Sequence, residues 1–134
     1  MARKGNSRPA RWERATSALR DAADRMRTAQ DELDDLDNIE DGEEQKETEE
    51  TARAEFEQAG ADALAALNEL NELKGEYEDW RDNLPESLQS SPVGEKLDAI
   101  CDIDFDLSED DLDGIEQAAD EAENADLPLG FGKD

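Results

Sequence analysis

Residues 12–36, WERATSALRDAADRMRTAQDELDDL, decide the fold. Trp12, Ala15, Leu19, Ala22, Met26, Ala29, Leu33 and Leu36 recur at alternating steps of three and four, among charged and small polar residues. An α-helix returns to one face every 3.6 residues, so these positions form a single narrow apolar stripe. A stripe that narrow is buried against a second helix, as in a coiled coil.

Working outward, the second helix is residues 52–84, ARAEFEQAGADALAALNELNELKGEYEDWRDNL. Its stripe is Ala52, Phe56, Ala59, Ala63, Ala66, Leu70, Leu73, Tyr77, Trp80 and Leu84. Gly60 and Gly75 lie inside it, each costing about 1 kcal/mol relative to alanine, and mark candidate bends. Pro85 stops it. Between the stripes, Asn38, Asp41 and Gly42 are the break signals, with glycine as the expected stop. Ser7 and Pro9 mark the start of the first helix.

Two heptad helices joined by a short turn fold back on each other. A turn centred on residue 41 sets Trp12 opposite Leu70, Leu19 opposite Ala63 and Met26 opposite Phe56. The sequence therefore predicts an all-α protein. Residues 1–84 form a long antiparallel coiled-coil hairpin, helical from 8, and 85–134 form an acidic C-terminal helical region and tail. Apolar content is thin beyond Leu33 and Phe56, so fraying is expected at the tip. Leu64 and Leu67 stand outside the stripe as uncovered shoulders, which predicts a homodimer.

In the C-terminal region, residues 83–88 read as a helix restart, and Ser90, Ser91 and Pro92 as a second cap. Val93, Leu97, Ile100 and Cys101 share a helical face. Ile103, Phe105 and Leu107 alternate with aspartates, like a short strand. Ser108 is the expected cap of a last helix, with Glu109, Asp110 and Asp111 in its first turn and Leu112, Ile115, Ala119 and Ala122 on one face. The tail Leu127–Gly132 is apolar enough to dock. Trp12, Tyr77, Trp80 and Leu84 fall at the end of the hairpin away from the turn, and the core is expected there.

Charge is divided sharply. Residues 1–30 carry eight basic groups against three acids, and residues 31–134 carry six against 37, for a net of −26 overall. An anionic membrane or nucleic acid is repelled by most of this chain, so a partner recruited electrostatically is basic. The basic residues of the first helix face Glu55, Glu57, Asp62, Glu69 and Glu72 across the hairpin, which predicts cross-helix ion pairs in place of phosphate contacts.

The excess concentrates in two blocks. Residues 31–50 hold twelve acids and one lysine, Lys46. Folded as two arms, they span about 15 Å, a length over which duplex DNA carries about nine phosphate charges. The second block, residues 98–126, holds thirteen acids and no basic residue. The candidate partner-binding residues are Asp31, Glu32, Asp34, Asp35, Asp37, Glu40, Asp41, Glu43, Glu44 and Glu47 at the tip. Asp104, Asp106, Glu109, Asp110 and Asp111 are those of the second block.

Chemistry has few footholds. The chain has no histidine, hence no imidazole base near neutral pH, and no nucleophile motif or phosphate-cradling glycine loop. Cys101, the single cysteine, sits among acids that raise a thiol's pKa, and excludes an intrachain disulfide. Asp102, Asp104 and Asp106 open like a calcium loop, but Leu107 stands where the turn glycine belongs and Asp113 where the bidentate glutamate belongs. The expectation is a non-enzymatic protein with no metal or cofactor, without a membrane span or secretory signal.

Residues 76–97, EYEDWRDNLPESLQSSPVGEKL, and 127–134, LPLGFGKD, resemble the C-terminal part of small acidic coiled-coil proteins of tailed bacteriophages. The similarity covers about a quarter of the chain. It implies a phage product acting in the cytoplasm of a bacterial host, and no active residue carries over. The functional expectation is a nucleic-acid mimic that occupies and inhibits the DNA- or RNA-binding surface of a basic host protein. One alternative is a structural or assembly coiled coil whose charge serves solubility. Another is a DNA-associated regulator using the basic N-terminus.

Overall fold

A computed structural model describes residues 8–125 and Leu127. The described residues form five α-helices and no strand: α1 Arg8–Asp34, α2 Gly42–Asp82, α3 Glu86–Gln89, α4 Pro92–Cys101 and α5 Leu112–Asn124. α1 and α2 are the antiparallel hairpin, and their flanking charges report its register. Arg11 meets Glu69 and Glu76, at 3.2 Å each, and Arg25 meets Glu55 at 2.9 Å and Asp62 at 2.7 Å. Each arginine bridges two acids one heptad apart, as the 3.5-residue repeat requires. Glu57 and Glu72, expected in the same role, take no ion pair among the described residues.

The turn is built differently from the glycine stop expected. A short 3-10 turn, Leu36–Asn38, follows α1, and Asp41 is the N-cap of α2. Its carboxylate accepts from the Glu43 and Glu44 amides at 2.9 and 3.5 Å, and Gln45 Nε2 donates to the Leu36 carbonyl at 2.7 Å. Gly42 is the first helical residue, so an aspartate cap, not a left-handed glycine, makes the break. Nor does the tip fray in this structure: α1 runs to Asp34 and α2 begins at Gly42. Ser7 lies outside the described residues.

α2 continues unbroken through Gly60 and Gly75 to Asp82, 41 residues and about 60 Å. Asn83 Nδ2 donates to the Asp79 carbonyl at 2.8 Å, and Pro85 prevents continuation. Ser91 caps α4 through the Gly94 amide, with Pro92 in the first turn. α4 packs on α2. Residues 102–111 then descend α2 as extended chain and turns. Lys74 Nζ donates to the Ile103 carbonyl at 2.8 Å and Asn71 Nδ2 to the Phe105 carbonyl at 3.3 Å. These side chains satisfy backbone groups that a neighbouring strand would otherwise serve, so the alternating pattern yields extended chain without a sheet. Further on, the Glu109 carbonyl presses on Gly60, where an added Cβ would stand 2.7 Å from its oxygen.

α5 returns along α1. Its N-cap is Asp111, whose carboxylate accepts from the Gly114 amide at 3.1 Å. Ser108, the expected cap, instead accepts the Asp111 amide through its carbonyl, closing a turn. Leu112, Ile115, Ala118, Ala119 and Ala122 are buried on one face of α5.

The core gathers at the end away from the turn. Trp12 meets Tyr77 and Phe105 edge-on, with centroids 5.9 and 5.6 Å away, and Tyr77 stacks on Trp80. Trp12 Nε1 donates to the Ala122 carbonyl at 2.9 Å, tying α1 to the last turn of α5. Leu67 is buried in this same core and Leu64 half-buried, so the shoulder argument for a dimer falls. Leu127 is half-buried against the core, and the rest of the tail lies outside the described residues.

Candidate functional site

The ten tip acids line the end of the hairpin. Asp31, Glu32 and Asp34 are on the last turn of α1, and Asp35 and Asp37 are at the 3-10 turn. Glu40 and Asp41 precede α2, and Glu43, Glu44 and Glu47 lie on its first turns. All ten are exposed. The core stops short of them: Ala29 on α1 and Ala52 on α2 are the last buried residues of each arm, and none from Gln30 to Thr51 is buried. The tip is therefore a two-helix spur whose side chains face solvent. Within the 31–50 block the described ion pairs involve Glu49 alone, with Arg53 at 3.3 Å. Asp34 accepts from Gln30 Nε2 at 3.0 Å, and Asp41 is occupied as the cap.

The second block is different. In the sequence its acids appear unpaired; the structure pairs five of the thirteen. Arg20 meets Asp120 and, at 2.8 Å, Glu123; Arg27 meets Asp113 at 3.0 Å and Glu116 at 2.6 Å; Arg81 meets Asp98 at 3.6 Å. The first four acids form a ladder between α5 and α1. Both guanidinium groups are pushed above their ordinary range, chiefly by carboxylate hydrogen bonds. The Arg20 hydrogen bond likewise holds the Glu123 carboxyl below its usual value of 4.5.

Of the five predicted acids of this block, Asp104 and Asp111 use their carboxylates locally, and those of Asp106, Glu109 and Asp110 take no hydrogen bond or ion pair among the described residues. Asp104 accepts from the Asp106 amide at 2.9 Å, Glu109 and Asp110 form the turn before α5, and Asp111 caps it. The structure does not bring them to the tip. Glu109 abuts Gly60, about 27 Å along α2 from Gly42, and the Phe105 carbonyl reaches Asn71, about 43 Å along. Among the described residues no group of three or more carboxylates is placed to hold a metal ion, Asp102, Asp104 and Asp106 included. Cys101 is half-exposed, with its thiol pKa pushed up by burial.

A reading of the arginines against α2 alone misses the α1–α5 ladder, and its one signal in the sequence is spacing. Arg20 and Arg27 are one heptad apart, as are Asp113 and Asp120, and Glu116 and Glu123. No protein-family model, curated protein or solved structure matches this chain. No described helix is long and apolar enough to cross a membrane.

Proposed function

We propose that this is a non-enzymatic binding protein whose acidic hairpin tip takes the place of DNA or RNA on the nucleic-acid-binding surface of a basic partner. The observation that supports this is how differently the two acidic blocks are used. Most described acids of the second block pair with arginines of α1 and α2, cap a helix or accept a local hydrogen bond, whereas among the described residues most tip acids have no ion pair or cap to make. Fields of unpaired like charge oppose folding and favour association with the opposite sign. The tip's net of −11 also matches the roughly nine phosphate charges of duplex over about 15 Å. In this reading, and with the phage resemblance of residues 76–97, the partner is a bacterial host protein and the site of action the host cytoplasm.

The test is capture of basic proteins from nuclease-treated bacterial lysate, followed by competition with duplex DNA. The sextuple variant Asp34→Asn, Asp35→Asn, Asp37→Asn, Glu40→Gln, Glu43→Gln and Glu44→Gln keeps the stripes and the Asp41 cap. Exposed charge contacts are worth about 0.2–1 kcal/mol each, so single changes shift affinity little and the six together by tenfold or more. Unchanged affinity and salt dependence in the sextuple variant would reject the proposal.

A further inference from the structure

We infer that a second copy of this chain docks antiparallel on the outward face of α1, centred between Ser17 and Ala18. The inference is independent of the reading of the tip. α1 is packed on α2 along one side and on α5 along another, which leaves Arg14, Ser17, Ala18 and Asp21 exposed together. Arg14 and Asp21 line the same groove, with Ala18 between them.

Arg14 is the anomaly. Arg8, Arg11, Arg20, Arg25 and Arg27 each meet at least one carboxylate. Arg14 has no ion pair among the described residues, although the chain carries forty acids. Asp21 likewise has none among them, and stands one heptad further along, about 10 Å. Too far apart to neutralise each other, they are arranged for a twofold axis: in an antiparallel pair centred between residues 17 and 18, Arg14 faces the other copy's position 21, and Asp21 its position 14. A twofold interface must be self-complementary in this way.

The surroundings favour contact here over elsewhere. The groove walls carry Arg11 and Arg25, each already held by two acids, Glu69 and Glu76 for the first and Glu55 and Asp62 for the second. On a molecule of net −26 this patch has arginines standing among its acids, and in the antiparallel pair Asp24, which also lines the groove, faces the other copy's position 11, an arginine. Ser17 and Ala18 between the charges let the helix axes approach to about 8 Å.

The test is charge exchange, read by sedimentation velocity at about 150 mM salt, with circular dichroism to check folding. Wild-type protein should form a weak dimer at high micromolar concentration. R14D places two acids opposite two acids and D21R two bases opposite two bases, so each alone should raise the dimer dissociation constant by about tenfold or more. Mixing R14D with D21R restores opposite charges at both contacts and should yield a heterodimer, and the double variant R14D/D21R should dimerise like wild type. Wild-type protein monomeric at about 1 mM would overturn the inference. So would single reversals that leave the dimer unchanged, which would put the contact on another face, or a mixture that stays monomeric.

Discussion

Gly60 and Gly75 look alike in the sequence, two glycines in one helical stripe, and their neighbours make them opposites. A Cβ at Gly75 would meet nothing within 4 Å, whereas at Gly60 it would stand 2.7 Å from the Glu109 backbone oxygen. Gly75→Ala should therefore gain helix propensity, about 0.5–1 kcal/mol, and raise the melting temperature by about 3 °C. Gly60→Ala gains the same propensity but forces residues 102–111 off α2, at an overpacking cost of about 1–3 kcal/mol, so its melting temperature should fall. A rise in both variants would show that the loop yields freely. Periodicity locates such glycines but cannot tell a passive one from one a remote carbonyl leans on. The same limit explains Asp41 and Asp111. Each stands among neighbouring acids with similar capping chemistry, and only the local chain path selects which carboxylate reaches an amide.

At the scale of elements, α5 is held to α1 by two unlike devices, an apolar face ending in the Trp12–Ala122 hydrogen bond and the arginine ladder outside it. The ladder makes docking sensitive to acid. Glu123 is held below 4.5 in the folded protein, so its contribution is fully present above the unfolded value and is lost as pH falls through the folded one. Melting curves should lose that increment below about pH 4.5, and Arg20→Gln should remove it in advance, lowering stability at pH 7 by about 0.2–1 kcal/mol and flattening the acid limb. An Arg20→Gln variant with an unchanged acid limb would remove the ladder's role. The hairpin, its antiparallel sense and the placement of the core were legible because heptad stripes and a proline stop are local signals. The α5 ladder depends on a path through residues 102–111 that no local pattern specifies. The Ile103–Phe105–Leu107 alternation shows the same boundary, since it correctly marks Ile103 and Phe105 as inward-facing while the hydrogen-bond partners are side chains of α2.

For the whole molecule, the fold neutralises its basic helix from within and leaves its acidic tip bare. Five of the six described arginines of α1 are engaged by carboxylates of α2 or α5, so few positive charges remain for phosphates. The tip acids were legible as a dense block, but which acidic block is spare became visible only when α5 took up the arginines. The mimic, a DNA-binding regulator and an assembly protein differ in what they predict for this molecule. The isolated protein should give no mobility shift with duplex DNA at micromolar concentration and about 150 mM salt, because the net −26 repels the phosphates and the internal pairs must break before α1 can offer its charges. A shift that disappears in an Arg8→Ala, Arg11→Ala, Arg14→Ala variant would instead establish α1 as a nucleic-acid surface. An assembly protein would retain its partner and oligomeric state in the sextuple tip variant and lose both on Leu19→Asp or Leu70→Asp, since both leucines are fully buried in the core. If the tip is a mimic, the outcome there is the other way round: the sextuple variant should keep its helicity and its oligomeric state and lose its basic partner. Increasing salt should release that partner in the unaltered protein as well, because the contacts are many, exposed and screened together.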